Sequence, residues 1–212
     1  MDKFTRLEGV AAPLMRQNVD TDVVIRIERL VNLPKEELGS FCFESIRYRP
    51  DGTENPDFIL NQTPYRGAPI LLAGDNFGCG SSREGAVWAL MGMGVNAVIA
   101  PSFGDIFFNN CFQNGLLPVA LPLAEIETLA EETRAAPGNA RVTIDLERQV
   151  VISPRGREIR FDIDPRRRRA MLEGLDDIAI TLTYKDQIAA WQAKDRSERP
   201  WVWARQQGAD PG

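Results

Sequence analysis

Between residues 74 and 85 the chain reads Gly-Asp-Asn-Phe-Gly-Cys-Gly-Ser-Ser-Arg-Glu-Gly, a glycine-rich loop that ends in two hydroxyls and a guanidinium. The apolar run Pro69-Ile70-Leu71-Leu72-Ala73 precedes it, and helical spacing follows it, with Val87, Leu90 and Met91 on one side. A loop between a buried strand and a helix is where an α/β fold binds anions, because the first N–H groups of the helix have no partner inside it. Free N–H groups around Cys79 and Gly80, the hydroxyls of Ser81 and Ser82, and the fork of Arg83 together make a carboxylate site. Two nucleotide motifs fail at the same place. After Gly78 and Gly80 the dinucleotide fingerprint needs a third glycine where Arg83 stands, and the P-loop spacing of Gly80 and Gly85 is followed by Ala86-Val87 instead of Lys and Ser or Thr.

A plainer reading competes for the same residues. Ser81-Ser82-Arg83-Glu84 fits a capping box, in which the serine caps a helix and the glutamate reaches back. That accounts for Ser81 and Glu84. It leaves unexplained the glycines upstream and an arginine in the first turn, where the helix dipole disfavours a cation by ~0.3–1 kcal/mol.

Composition narrows the chemistry further. No histidine occurs among the 212 residues. This chain alone can therefore build neither a Ser-His-Asp triad, nor a His-activated cysteine, nor a His-ligated zinc. Cys42, Cys79 and Cys111 are widely spaced, with no Cys-x-x-Cys pair, so no metal site of this chain's own is expected. A net charge of -5 argues against a nucleic-acid binder. The run Arg166-Arg167-Arg168-Arg169 reads as a helix face or partner contact. No apolar stretch approaches the ~20 residues of a membrane span, and no signal core follows Met1-Asp2-Lys3-Phe4-Thr5-Arg6, so a cytoplasmic address is expected.

The elements that must position the loop follow from hydrophobic spacing. A strand is expected from Phe4 to Ala12, then a polar turn at Asn18-Val19-Asp20-Thr21-Asp22, then a long irregular connection over 23–66. Strands at 69–73, 95–100 and 116–121 alternate with helices at 81–93, 102–114 and 123–135, which implies neighbouring parallel strands. Residues 142–146, 150–152 and 159–163 alternate as antiparallel hairpins, and helical pieces follow at 165–173 and 184–194. The expected class is α/β, a parallel-strand core plus antiparallel hairpins, with one domain over 1–195 and a loosely ordered tail over 196–212.

Asn-Phe-Gly-Cys-Gly-Ser-Ser-Arg-Glu at 76–84 resembles the signature of the swivelling domain of the aconitase superfamily, which in the isopropylmalate dehydratases is a separate small subunit. Asn18-Val19-Asp20-Thr21-Asp22, Asn55-Pro56-Asp57-Phe58, the stretch Ala100 to Asn110, Gly115-Leu116-Leu117-Pro118 and Gly174 to Ile178 match it as well, so the resemblance runs from about residue 4 to 193. It implies a swivelling β/β/α domain. It also implies the isomerisation of 2-isopropylmalate to 3-isopropylmalate, in leucine synthesis, by removal and return of water. A [4Fe-4S] cluster on a large partner subunit would polarise the leaving hydroxyl, and this chain would bind no cofactor alone.

Under that resemblance Ser81 is the base that takes a proton beside a carboxylate, its alkoxide stabilised by N–H dipoles and positive charge. Arg83 binds a substrate carboxylate, with Ser82, Gly80 and Cys79 beside it, and Asp22 is a charge partner for a group on the large subunit. Arg26, in a stretch that departs from the family pattern, is a further contact to the diacid. Gly85 and Arg169-Ala170 depart from it too. Close paralogues acting on dimethylmalate, citraconate, citramalate or homoaconitate remain an alternative, as does a non-catalytic metabolite-binding module.

Overall fold

The computed structural model describes residues 1–81 and 83–203. One compact unit spans Met1–Leu175, and a second begins at Asp176. In the first, β1 (Arg6–Gly9) and β2 (Ala11–Leu14) open the chain. The connection that follows carries α1 (Thr21–Val24), α2 (Ile27–Asn32), a 3-10 turn at Lys35–Phe41 and α3 (Glu44–Arg47). Then come β3 (Ile70–Ala73), α4 (Glu84–Gly92), β4 (Ala97–Ala100), α5 (Asp105–Asn114), β5 (Leu117–Ala120) and α6 (Leu123–Ala135). The unit closes with β6 (Val142–Asp145), β7 (Val150–Ile152), β8 (Glu158–Arg160) and α7 (Pro165–Glu173).

Two four-stranded sheets result. One is parallel, in the order β2-β3-β4-β5; the other is antiparallel, in the order β1-β6-β7-β8. The single strand expected from Phe4 to Ala12 is therefore corrected: the chain leaves one sheet and enters the other at Val10. Pro13 and Pro118 sit in β2 and β5, the two edges of the parallel sheet, where a missing N–H breaks no central ladder.

The parallel sheet is buried on both faces, which is why its strands read as unbroken apolar runs. Leu71, Ala73, Val98 and Ala100 point to a core shared with Ala86, Val87 and Leu90 of α4 and with Phe43 and Leu60 of the connection. Ile70, Leu72, Ala97 and Ile99 point the other way, to Ile126 and Leu129 of α6 and to Val142, Ile144 and Val151 of the second sheet. The period-2 alternation of each strand thus sorts its side chains between two cores.

The arginine run also joins the fold. Arg167 lies over the rings of Phe108 and Phe112 at 5.1 and 4.8 Å and donates to Asn109 Oδ1 at 2.6 Å. Arg168 donates to the carbonyl of Leu146 at 3.1 Å.

The second unit contains α8 (Asp177–Leu182), capped by the Asp176 carboxylate, α9 (Lys185–Glu198) and α10 (Pro200–Trp203). Asp195 on α9 accepts from Trp203 Nε1 at 2.8 Å and Arg199 Nε at 2.7 Å, and these bonds hold its carboxyl below the usual range. The helix α9 continues through residue 196, where the expected tail begins, and residues 204–212 of that tail lie outside the described residues. Among the described residues no helix is long and apolar enough to cross a membrane.

One contact decides how closely α4 is held. An ideal Cβ on Gly39, in the turn at Lys35–Phe41, would lie 2.2 Å from the Gly92 carbonyl carbon at the end of α4. Gly39→Ala is therefore expected to lower the unfolding free energy by ~1–3 kcal/mol, as overpacking does. Urea unfolding checks this: a midpoint equal to the wild type's would contradict the close approach.

Candidate active site

The loops that follow β2 and β3 meet at the carboxyl end of the parallel sheet. Pairing of the two strands continues beyond their ends as a ladder between the loops. Gly74 N–H donates to Arg16 O at 3.2 Å, Asn18 N–H to Asp75 O at 2.9 Å, Gly78 N–H to Val19 O at 2.7 Å and Thr21 N–H to Cys79 O at 3.0 Å. On its other side the same loop is pinned to the one after β4: Phe77 N–H donates to Ser102 O at 3.1 Å, and Gly104 N–H to Phe77 O at 2.9 Å. The glycine-rich segment is thus held from both flanks.

Local residue chemistry permits these bends. Gly78 has φ +72°, and a Cβ there would stand 2.2 Å from Phe107 Cγ, so the loop lies directly on a buried ring. Asn18 and Asn76 occupy the left-handed region at φ 52° and 57°, which asparagine tolerates, and their side chains bond at 2.8 Å. Ser102 Oγ accepts from Asn76 N–H at 2.9 Å and donates to the Asp75 carboxylate. None of these four residues was singled out for its chemistry. Asn18 carried a turn signal, and both asparagines entered only as members of the motifs that carry the family resemblance.

Ser81 is exposed, and its carbonyl accepts from the buried hydroxyl of Thr21 at 3.1 Å. Ser82 lies outside the described residues. Arg83 stands at the N-cap of α4 instead of in its first turn, where the sequence reading put it, and makes no capping bond. Its side chain is 17% exposed and pairs with the Asp22 carboxylate, which is 56% exposed. Asp22 thus has a partner within this chain, and more than half of its side chain stays exposed. Asp22 is presented by α1, which Asp20 caps by accepting from Val23 N–H at 2.7 Å. Gly80 turns the backbone at φ +94°, and Cys79 is half-buried beside it.

The capping box does not form. The Glu84 carboxylate instead accepts from Asn114 Nδ2 at 2.8 Å, and Asn114 Oδ1 accepts from Trp88 Nε1 at 2.8 Å. Glu84 therefore ties the start of α4, directly behind Arg83, to the end of α5. Sequence reasoning missed Asn114, because no local spacing links it to residue 84.

Arg26 caps no bond at the start of α2; its exposed guanidinium stands 3.9 Å from Glu44, which Arg29 engages at 2.9 Å. Burial pushes the thiols of Cys42 and Cys111 up, away from thiolate character. Among the described residues no group of three or more His, Cys, Asp or Glu side chains is placed to hold a metal, so this chain's described residues do not fit a cluster.

A glycine-rich loop with a serine and a paired arginine at the carboxyl end of a parallel sheet, accompanied by an antiparallel sheet, is an architecture of the aconitase C-terminal swivel class. The family model for the aconitase C-terminal domain matches residues 1–124, and LeuD_N matches residues 127–165. The chain is 53% identical over 201 residues to the 3-isopropylmalate dehydratase small subunit of Gluconacetobacter diazotrophicus, covering 95% of this chain and 97% of that one. It is 52% identical over 202 residues to the small subunit of the same name from Rhodopseudomonas palustris, covering 95% and 100%. A crystal structure of 3-isopropylmalate dehydratase from Methanocaldococcus jannaschii is similar at 27% identity and TM-score 0.61, over 90% of this chain and 99% of that one. The chain belongs to the aconitase C-terminal domain family, in its branch of 3-isopropylmalate dehydratase small subunits.

The Glu84–Asn114–Trp88 link yields a prediction. Asn114→Ala takes the partner from a part-buried indole N–H and leaves the exposed Glu84 carboxylate to water, and is expected to cost ~0.5–1.5 kcal/mol, at roughly 2–4 °C of Tm per kcal/mol for a chain of this size. A Tm within about 0.5 °C of the wild type, on that same scale, would show that the link holds nothing in place.

Proposed function

We propose that this chain, as the small subunit, joins a large iron–sulfur subunit to isomerise 2-isopropylmalate to 3-isopropylmalate by dehydration and rehydration, in leucine synthesis. The observation that carries the reading is the juxtaposition of Ser81 with an Arg83 already oriented by Asp22, in a chain matched along almost its whole length by small subunits of that enzyme. The domain proposed for this role spans residues 1–195, and a cytoplasmic address belongs to the same proposal.

The chemistry assigned to this chain is proton transfer and carboxylate binding. Ser81, as alkoxide, takes the proton on the carbon next to a carboxylate. A serine is a poor base in water, and free N–H groups of the loop together with the Arg83 charge stabilise its anion. Arg83 grips the carboxylate with two parallel N–H bonds, and Asp22 fixes the plane of its fork. Ser82, Gly80 and Cys79 line the same carboxylate, and Arg26 meets the diacid from its outer side. The [4Fe-4S] cluster is assigned to the large subunit.

Reconstitution tests the reading. The chain mixed anaerobically with its large subunit gains hydratase activity, assayed against a panel of 2-hydroxy diacids, with isopropylmalate preferred. Ser81→Ala lowers kcat by roughly a thousandfold, the scale on which removal of one essential group acts, and leaves association intact. Arg83→Lys is also severe, because a point charge cannot replace a bidentate fork. Arg26→Ala raises KM at nearly constant kcat, the mark of a lost binding contact. Turnover by the Ser81→Ala pair within about threefold of wild type would remove Ser81 from the role of base.

A further inference from the structure

Thr21 stands between Asp20, which caps α1, and Asp22, which pairs with Arg83. It is 1% exposed. Its N–H donates to Cys79 O at 3.0 Å and its hydroxyl to Ser81 O at 3.1 Å, so it bonds the residues on either side of Gly80. An ideal Cβ on Gly80 would lie 3.8 Å from the Thr21 hydroxyl, which places that hydroxyl against the turn itself. Ser81 stands three residues before α4, ahead of any helical bonding that could hold it. A buried hydroxyl must have a partner, and here the partner is the backbone of the residue assigned as base.

We propose that Thr21 is a positioning residue for the dehydration, its buried hydroxyl holding the Ser81 carbonyl and so the direction in which the Ser81 side chain leaves the loop. The proposal rests on the reading of Ser81 as base. A base must stay within hydrogen-bond reach of the proton it takes, and a displacement of ~1 Å costs on the order of a hundredfold in rate. Asp22 begins directly after Thr21, so the same residue sets the register between the serine on one loop and the partner of Arg83 on the other.

The test uses the two-subunit enzyme with Thr21→Val, which keeps the shape of the side chain and deletes the donor, and Thr21→Ser, which keeps the donor. Ser81→Ala is measured beside them. The expected result is a kcat lowered ten- to a hundredfold in Thr21→Val, with KM within about twofold, recovery to within about threefold in Thr21→Ser, and loss of turnover in Ser81→Ala. If Ser81→Ala is inactive while Thr21→Val turns over as fast as wild type, or while Thr21→Ser is as slow as Thr21→Val, the tether is overturned and the base stands. If Ser81→Ala remains active, the base is overturned and the tether with it.

Discussion

The continuation of β2–β3 pairing past the ends of both strands is the constraint on which the site depends. Two loops that could each be mobile are instead laced by backbone bonds, Gly78 to Val19 and Thr21 to Cys79 among them. Backbone bonds need no side-chain ordering, and their geometry is set by the sheet beneath, which is buried on both faces. Ser81 and Asp22 are 59 positions apart in sequence, yet each lies two residues beyond the Asp20–Cys79 bridge of one ladder. The site inherits the rigidity of the parallel sheet without being part of it.

Electrostatics then acts on a frame already in place. Arg83 stands at a helix N-terminus, where the dipole is unfavourable to a cation, and Asp22 offsets that. With Asp22 more than half exposed, such a pair contributes ~0–1 kcal/mol to stability. Its consequence is geometric: the guanidinium is turned toward Asp22, with one of its nitrogens engaged. Glu84, freed from the role of cap, anchors the other side of the same helix start through Asn114. Arg83 therefore sits between two tethers, one on each neighbouring element.

The parallel core and the antiparallel hairpins were legible because their signals are local. Apolar runs bounded by turns gave β3, β4 and β5, and the alternation in 142–163 gave β6, β7 and β8 of the second sheet. The spacing of 123–135 coincides with α6, and Gly115 at φ +89° ends α5 as read. The change of sheet at Val10 was not legible, since a strand of one sheet and a strand of another look alike until their partners are known. The capping box failed for a similar reason: Ser-x-x-Glu is a local pattern, and the partner that claims Glu84 is Asn114, on another helix. Ser81 and Arg83 were singled out from residue type and spacing, and the fold sets both beside the Thr21–Asp22 loop. The lacing that holds them, through Asn18, Asn76 and Thr21, is long-range and shows only in the fold.

The lacing is expected to hold the candidate site of this chain preformed. Amide hydrogen exchange on the isolated chain measures it most directly, at Gly78 and Thr21. Both N–H groups should exchange on the slow timescale of the β3 amides, with little further protection when the large subunit is added. Exchange at the rate of an open loop, slowed only by the partner, would contradict the account and make the partner the source of the site's order.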